Sequence, residues 1–100
     1  MKIEHQSKTL LLSDIGELNA TNSSAFRDDA RAALTDETTS MDVDLSQTRM
    51  VNSSGLGALI ALHKTMCARG GAVRILRPTP LVYQMLELTR LHRVFEIVRS

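Results

Sequence analysis

The chain has 100 residues, 43% of them hydrophobic, which is enough for one domain to bury a core without disulfides or a structural metal. Aromatic residues make up only 3% and the formal net charge is +1, which argues against modules that stack nucleic-acid bases on aromatic side chains. We therefore expect a single domain over residues 1–100, with an aliphatic core and no nucleic-acid partner.

Cys67 is the only cysteine, so an intramolecular disulfide is excluded and an oxidising compartment is not required. The longest aliphatic runs, at residues 10–12 and 58–62, fall well short of the ~20 residues of a membrane-spanning helix. Glu4 and the polar residues 6–9 occupy the region where a signal peptide would be apolar. These features predict a soluble, cytoplasmic chain without membrane insertion.

The first elements are predicted from two changes of periodicity. Ile3 and His5 alternate with charged neighbours and Leu10 and Leu12 resume the alternation after a polar turn, which predicts an N-terminal β-hairpin. Residues 16–21 break this pattern and are expected to form a turn. A first amphipathic helix follows, because apolar residues then recur at helical spacing: Phe26, Ala30, Ala33 and Leu34.

A polar loop over residues 35–40 leads to a strand in which Met41, Val43 and Leu45 alternate with Asp42 and Asp44. The two carboxylates are expected to share one face and to be solvated there. A second helix follows, with this apolar stripe: Leu56, Leu59, Ile60, His63, Met66 and Cys67. Ala58 and Leu62 lie off the stripe and indicate that the helix is covered on more than one side.

Gly70–Gly71 is expected to end the second helix, and residues 72–76 to form a strand. Thr79 and Pro80 are suited to the cap and first turn of a third helix. Its inner face is predicted to carry Val82, Met85, Leu86 and Thr89. Residues 95–98 fit either a short last strand or a helix end.

The alternation of helices and strands after a hairpin predicts an α/β fold with a mixed, mostly parallel sheet. The carboxyl ends of parallel strands meet at one edge, where ligand sites of open α/β sheets form. We therefore expect residues 52–57 to lie beside Leu18 and Asn19. The last third of the chain also favours an acidic partner, because it concentrates these arginines: Arg69, Arg74, Arg77, Arg90, Arg93 and Arg99.

Enzymatic motifs do not fit the serine pair Ser53–Ser54. A nucleophile elbow needs glycine two residues before and two after the serine, and neither serine meets that condition. Gly55 and Gly57 imitate the start of a dinucleotide fingerprint, but Ile60 stands where the third glycine belongs. We therefore expect no enzymatic activity and no cofactor.

Two other clusters resemble ligand sites without completing one. His63 and Cys67 are four residues apart on a helical face, but no second pair of metal ligands accompanies them, so packing is the expected role and no metal is predicted. Asp42 and Asp44 suggest the phospho-acceptor aspartate of a receiver domain. The acidic pair that would hold magnesium on the first strand of such a domain is missing.

Ser53 and Ser54 stand where the strand pattern gives way to the helical one, so either could simply cap the second helix. Two glycines in the first turns weaken a helix by about 1 kcal/mol each relative to alanine, which indicates close approach by another group. The free N–H groups of a helix start also stabilise a nearby anion. A switchable hydroxyl in a docking surface is therefore the alternative to a cap.

At residues 43–57 the chain resembles a STAS domain, and specifically the free-standing bacterial anti-sigma factor antagonists. Residues 16–19 and 86–95 support the resemblance, which spans nearly the whole chain. It implies a single STAS-type α/β domain whose Ser54, immediately before Gly55-Leu56-Gly57, is phosphorylated by an anti-sigma factor that is also a serine kinase. The family usually has aspartate before the serine pair, where this chain has Asn52.

By the same resemblance, the unphosphorylated protein captures the anti-sigma factor and frees a sigma factor, and a serine phosphatase is an open further partner. The predicted partner-binding residues are Asn19, Asn52, Ser53, Gly55, Leu56 and Gly57. Some STAS domains instead serve as non-phosphorylated adaptor subunits of lipid-transporting ABC systems. That function stays open as the alternative.

Overall fold

A computed structural model describes residues 1–99 of the chain. The strands are β1 (Lys2–Gln6), β2 (Thr9–Ser13), β3 (Glu17–Leu18), β4 (Ser40–Asp44), β5 (Met50–Val51), β6 (Ala72–Leu76) and β7 (Glu96–Val98). The helices are α1 (Ser23–Ala32), α2 (Ser53–Ala68) and α3 (Pro80–Leu88), with a short 3-10 turn at Leu91–Arg93.

Five strands form the main sheet in the order β1-β2-β4-β6-β7, with β1 and β2 antiparallel and every other pair parallel. Each parallel neighbour is reached through one helix, so β2-α1-β4, β4-α2-β6 and β6-α3-β7 are successive crossover units. The predicted mixed, mostly parallel α/β fold with an N-terminal hairpin is confirmed. Residues 95–98, for which the sequence allowed a short strand or a helix end, contain strand β7.

The core lies on one face of this sheet because buried side chains alternate along the strands. Leu10, Leu12, Met41, Val43 and Ile75 are fully buried. From the helices, the core receives Phe26, Ala30, Leu59, Leu62, Met66, Val82 and Leu86. Aliphatic and methionine side chains therefore fill the core, as the composition indicates, with Phe26 and Phe95 as its aromatic members.

The opposite face of the sheet carries ion pairs, which corrects the expectation of solvated strand carboxylates. Asp42 is only 7% exposed, and both of its oxygens accept from Arg74, from Nε at 2.8 Å and from Nη2 at 2.7 Å. These bonds, together with the charges of Asp42 and Glu96, raise the pKa of Arg74. Bidentate pairing lets a carboxylate stay charged while largely removed from water.

Asp44 is held at the end of β4 by hydrogen bonds from two residues. Burial acts to raise its pKa, but hydrogen bonds from the side chain and backbone of Ser46 and the guanidinium of Arg77 outweigh burial, so the pKa of Asp44 lies below its ordinary value. A carboxylate with a lowered pKa stabilises the fold above its unfolded pKa of about 3.9. That contribution is lost as the pH falls through the lower pKa of the folded state.

We therefore expect Asp44→Asn to lower the free energy of unfolding by about 1 kcal/mol at pH 7, a value kept small by solvent screening of the half-exposed Arg77. The difference between wild type and variant should shrink on acidification, because the wild-type carboxylate then becomes neutral. Urea unfolding of both proteins at pH 7 and pH 3 measures it. An undiminished difference at pH 3 would show that charge is not the cause.

Several helix boundaries and faces differ from the predictions. α1 ends at Ala32 and the chain turns away at Ala33, while Leu34 packs on the core from outside the helix. In α2, Cys67 of the predicted stripe is exposed, whereas Ala58 and Leu62 are buried, which confirms that the helix is covered on more than one side. Apolar residues lie around most of the circumference of α2, so the spacing of apolar residues did not predict which side of the helix faces the core.

Other predictions concern a short strand and the ends of the helices. Residues 16–21 contain strand β3 rather than only a turn, because Leu18 is buried and its backbone pairs with β5. Thr79 caps α3 as predicted, by accepting from the N–H of Val82 at 3.4 Å, but Thr89 is the exposed C-cap rather than part of the inner face. Gly70, with φ +75°, follows α2 at its predicted end.

The predicted basic surface is largely used within the fold. Arg74 and Arg77 pair with β4 carboxylates, and Arg69 donates to backbone carbonyls of Thr35 and Thr38. The guanidinium carbon of Arg99 lies 4.0 Å from the centroid of the Tyr83 ring. These four arginines engage groups within the domain, whereas Arg90 and Arg93 are exposed, and an acidic partner stays a prediction.

Candidate functional site

A two-stranded parallel sheet, separate from the main one, brings the two predicted site segments together. Leu18 of β3 is in register with Val51 of β5, and the N–H of Asn52 donates to the carbonyl of Leu18 at 3.0 Å. The predicted position of the α2 start beside Leu18 is therefore confirmed. Asn19 follows directly, with its side chain and carbonyl accepting bonds from Thr21 and Ser23 in the turn before α1.

The serine pair opens α2 but does not cap it. Asn52 is the N-cap, and its Oδ1 accepts from the N–H of Gly55 at 3.1 Å. Ser53 and Ser54 are the first two helical residues, both exposed, and within residues 1–99 neither hydroxyl has a hydrogen-bond partner. The interpretation of either serine as the cap is therefore wrong. Both hydroxyls are free to react or to meet a partner.

The helix start around these serines is electropositive. The N–H groups of Ser53 and Ser54 have no acceptor within residues 1–99, and the first turn of α2 contains no acidic residue. Unpaired N–H groups and the aligned peptide dipoles together attract an anion at a helix start. A phosphoryl group on either serine would therefore be tolerated by the helix itself.

The two glycines that follow have different surroundings. A Cβ on Gly55 would lie 2.6 Å from Leu18 Cβ and 2.7 Å from the Leu18 carbonyl oxygen, whereas a Cβ on Gly57 would meet nothing within 4 Å. Gly55 thus permits the close approach of α2 to β3, and Leu56 beside it is also buried. Ser53, Ser54 and Gly57 are the predicted site residues that form the exposed surface, with Asn19 and Asn52 half-exposed beside them.

Sequence reasoning missed two exposed residues at this edge. Met50, in β5, is 44% exposed, and Arg49 precedes it with its guanidinium 3.9 Å from the carboxylate of Glu17. A shallow groove next to them runs between residues 46–49 and the start of α3, where Leu81 is 49% exposed. The sequence offered only a weak signal, because two adjacent apolar residues of a strand point to opposite faces, and Met50 is exposed while Val51 is buried.

Asn52→Ala is expected to lower the free energy of unfolding by about 1 kcal/mol, because the N–H of Gly55 loses its acceptor. Asn52→Asp keeps an oxygen at the same place and adds a negative charge near the positive helix end, so it should match or exceed the stability of the wild type. Chemical denaturation of the three proteins measures this. Equal losses in both variants would contradict the capping role.

The other clusters do not form a ligand site. Cys67 Sγ lies 3.5 Å from His63 Nε2, and the His63 ring packs edge-on against Phe95 with 5.5 Å between centroids. Across the described part of the chain, no three metal-ligating side chains converge on one point. A helix of sufficient length and apolarity to cross a bilayer is likewise not found in residues 1–99.

The five-stranded mixed sheet, the three helices and the separate β3-β5 pair define the chain as a small α/β domain of the STAS fold. Residues 1–99 match the protein-family model described as "Mlab, STAS domain". The chain belongs to the STAS domain family. No curated protein matches it in sequence.

Solved structures share the fold at low sequence identity. A proposed anti-sigma factor antagonist from Thermotoga maritima superposes with a TM-score of 0.87 at 22% identity, over 99% of this chain and 86% of its own. An anti-sigma factor antagonist from Mycobacterium paratuberculosis gives 0.85 at 21% identity, over 99% and 84%. Phosphorylated SpoIIAA of Bacillus gives 0.69 at 18% identity, over 97% and 89%.

Proposed function

We propose that the protein is an anti-sigma factor antagonist, a protein-binding switch controlled by phosphorylation of Ser54. The observation that carries the proposal is an exposed Ser54 whose hydroxyl and N–H have no hydrogen-bond partner within residues 1–99, in the first turn of α2. Structural relatives are described as anti-sigma factor antagonists, and SpoIIAA has been solved both phosphorylated and unphosphorylated. These relatives support the class of function through a shared fold.

The switch works by changing charge at a docking surface. Phosphorylation adds between one and two negative charges at pH 7 and three acceptor oxygens. The helix start tolerates them, but a protein surface fitted to a neutral hydroxyl must desolvate the new charge or repel it. Loss of about 3 kcal/mol of binding energy corresponds to more than a hundredfold in affinity. Release of the partner therefore needs no refolding of the domain.

In this proposal the partner is an anti-sigma factor with serine kinase activity, which the unphosphorylated protein sequesters in the cytoplasm. A serine phosphatase would restore the binding-competent form. The protein itself acts by binding rather than by catalysis. The partner surface consists of Ser53, Ser54 and Gly57 with the flanking Asn19 and Asn52, and buried Gly55 and Leu56 hold that surface in place.

Phosphate mapping after incubation with the cognate anti-sigma kinase and ATP tests the proposal. Mass spectrometry should find one phosphate, on Ser54, in the wild type and in Ser53→Ala, and none in Ser54→Ala. Ser53 is the matched control because it is equally exposed and one residue away. A stable complex with the kinase in which Ser54 stays unmodified would refute phosphorylation control.

A second candidate is the non-phosphorylated adaptor of a transport ATPase. Two observations favour it. The matching family model carries the description "Mlab", and the cap Asn52 is neutral where the antagonists usually have aspartate. A murine anion transporter also contains this fold within a longer chain, of which the match covers 16%. Co-purification separates the candidates, since the adaptor should retain a transport ATPase and the antagonist a serine kinase.

A further inference from the structure

A cavity of about 230 Å³ opens between the β2–β3 loop and the first half of α1. Its lining includes the buried apolar residues Ile15, Leu18 and Phe26, the exposed Met1, and three exposed acidic residues, Asp14, Glu17 and Asp29. None of the residues assigned above to the serine surface lines it. Apolar and acidic residues thus line the same cavity.

Two of these three carboxylates have no ion pair within the described residues. Glu17 accepts a long hydrogen bond from Asn19 Nδ2 at 3.5 Å and lies 3.9 Å from the guanidinium of Arg49, which is 73% exposed. Over residues 1–99, Asp14 and Asp29 form no ion pair. An apolar recess beside two carboxylates without an ion pair complements a group that has a hydrocarbon stem and a cationic end, because such side chains bury the stem and keep the charge at the rim.

The volume and the charge of the cavity favour a single amino-acid side chain as the group that binds there. Sites for drug-sized molecules span roughly 300–1,000 Å³, more than this cavity provides. An anion would meet three carboxylates and be repelled. The described residues also do not gather these carboxylates into a metal-ligating group. We propose that the cavity receives a lysine or arginine side chain of the protein partner.

The cavity adjoins the proposed docking surface, so one partner can reach both. Glu17 and Leu18 form β3, and Leu18 is also the residue that a Cβ on Gly55 of α2 would meet. The inference therefore rests on the proposed function for the identity of the partner, but the chemistry of the cavity can be tested without one. A basic side chain placed here would fix the orientation of a partner docked on the start of α2.

The first test is an NMR titration of the ¹⁵N-labelled protein with Nα-acetyl-arginine methylamide. Amide signals of Glu17, Leu18 and Phe26 should shift, and the neutral isostere Nα-acetyl-citrulline methylamide should leave them in place. The double variant Asp14→Asn/Asp29→Asn should weaken the arginine response about fivefold or more, while Asp28→Asn/Asp36→Asn, which removes two charges that do not line the cavity, should not.

Equal shifts with citrulline, or shifts that persist unchanged in Asp14→Asn/Asp29→Asn, would overturn the inference. So would calcium chloride moving the same signals more strongly than the arginine probe, because the site would then bind a metal ion. Asn is suited to position 14, whose φ of +56° asparagine adopts readily, so the variant should fold.

The second test measures affinity for the purified anti-sigma kinase. Asp14→Asn/Asp29→Asn should weaken it about tenfold, and Asp28→Asn/Asp36→Asn less than about twofold. Full affinity in the cavity variant, with Ser54→Asp abolishing binding, would refute the cavity and leave the proposed function intact. No effect of Ser54→Asp would refute the proposed function, while the arginine titration would still report on the cavity.

Discussion

Gly55→Ala is expected to lower the free energy of unfolding by about 3 kcal/mol, although alanine is ordinarily the better helix former by about 1 kcal/mol. The added methyl would lie 2.6 Å from Leu18 Cβ, 2.7 Å from the Leu18 carbonyl oxygen and 2.9 Å from Val51 Cγ1. Two of these atoms belong to β3, whose backbone is fixed by pairing with β5. The clash can be relieved only by moving α2 away from the two-stranded sheet.

Gly57→Ala is the matched control, two residues further along the same helix. A Cβ there meets nothing within 4 Å, so the gain in helix propensity should raise stability by about 0.5–1 kcal/mol. Thermal unfolding should therefore shift in opposite directions, with Tm more than about 10 °C lower for Gly55→Ala. Two equally mild effects would show that α2 does not depend on this contact.

Ser54→Asp is expected to weaken binding of the anti-sigma partner about a hundredfold or more while leaving the fold as stable as the wild type or slightly more stable. The carboxylate adds charge to a docking surface that must be desolvated, which costs several kcal/mol when the charge is left unpaired. The same charge lies near the positive end of α2, whose first turn has no acidic residue, and contributes about 0.3–1 kcal/mol of stability there.

Ser54→Ala and Ser53→Asp complete the comparison. The alanine variant removes the hydroxyl without adding charge, so its affinity should stay within about threefold of the wild type, since the hydroxyl has no bond partner in the free protein. Ser53→Asp places the same charge about 100° around the helix and should have the smaller effect on binding. Calorimetric titration measures affinity, and urea unfolding measures stability. A weakened Ser54→Asp that is also unfolded would not support a switch.

The sequence predicted the elements whose signals are local. The N-terminal hairpin follows from the alternation of Leu10 and Leu12 after a polar turn, and the start of α3 follows from Thr79 and Pro80. Crossover helices between strands then imply parallel pairing. Adjacency of Leu18 to the start of α2 could also be inferred, because carboxyl ends of parallel strands share an edge.

What the sequence did not reveal depends on contacts between distant residues. Asp42 looked like a solvated strand carboxylate because its partner Arg74 is 32 residues away, on the neighbouring strand. Gly55 and Gly57 looked equivalent until the position of Leu18 distinguished them. The inward face of α2 was ambiguous because Leu62 and Cys67 are both apolar enough for the core, and only packing decided that Leu62 enters it.

For the candidate site, the interpretation of either serine as the helix cap was wrong. Asparagine and serine are comparable N-caps, and three such residues stand in a row at 52–54. The choice was made by backbone geometry, since Asn52 is extended at φ −90° and ψ −173° while the serines are already helical. That choice leaves the Ser54 hydroxyl exposed and without a hydrogen bond within residues 1–99.

The most direct test of the account compares the affinity of the cognate anti-sigma factor for the unmodified protein and for protein carrying phosphoserine at position 54. The phosphorylated form should bind at least about a hundredfold more weakly, with circular dichroism and Tm unchanged or Tm slightly raised. Equal affinities of the two forms would contradict control by Ser54.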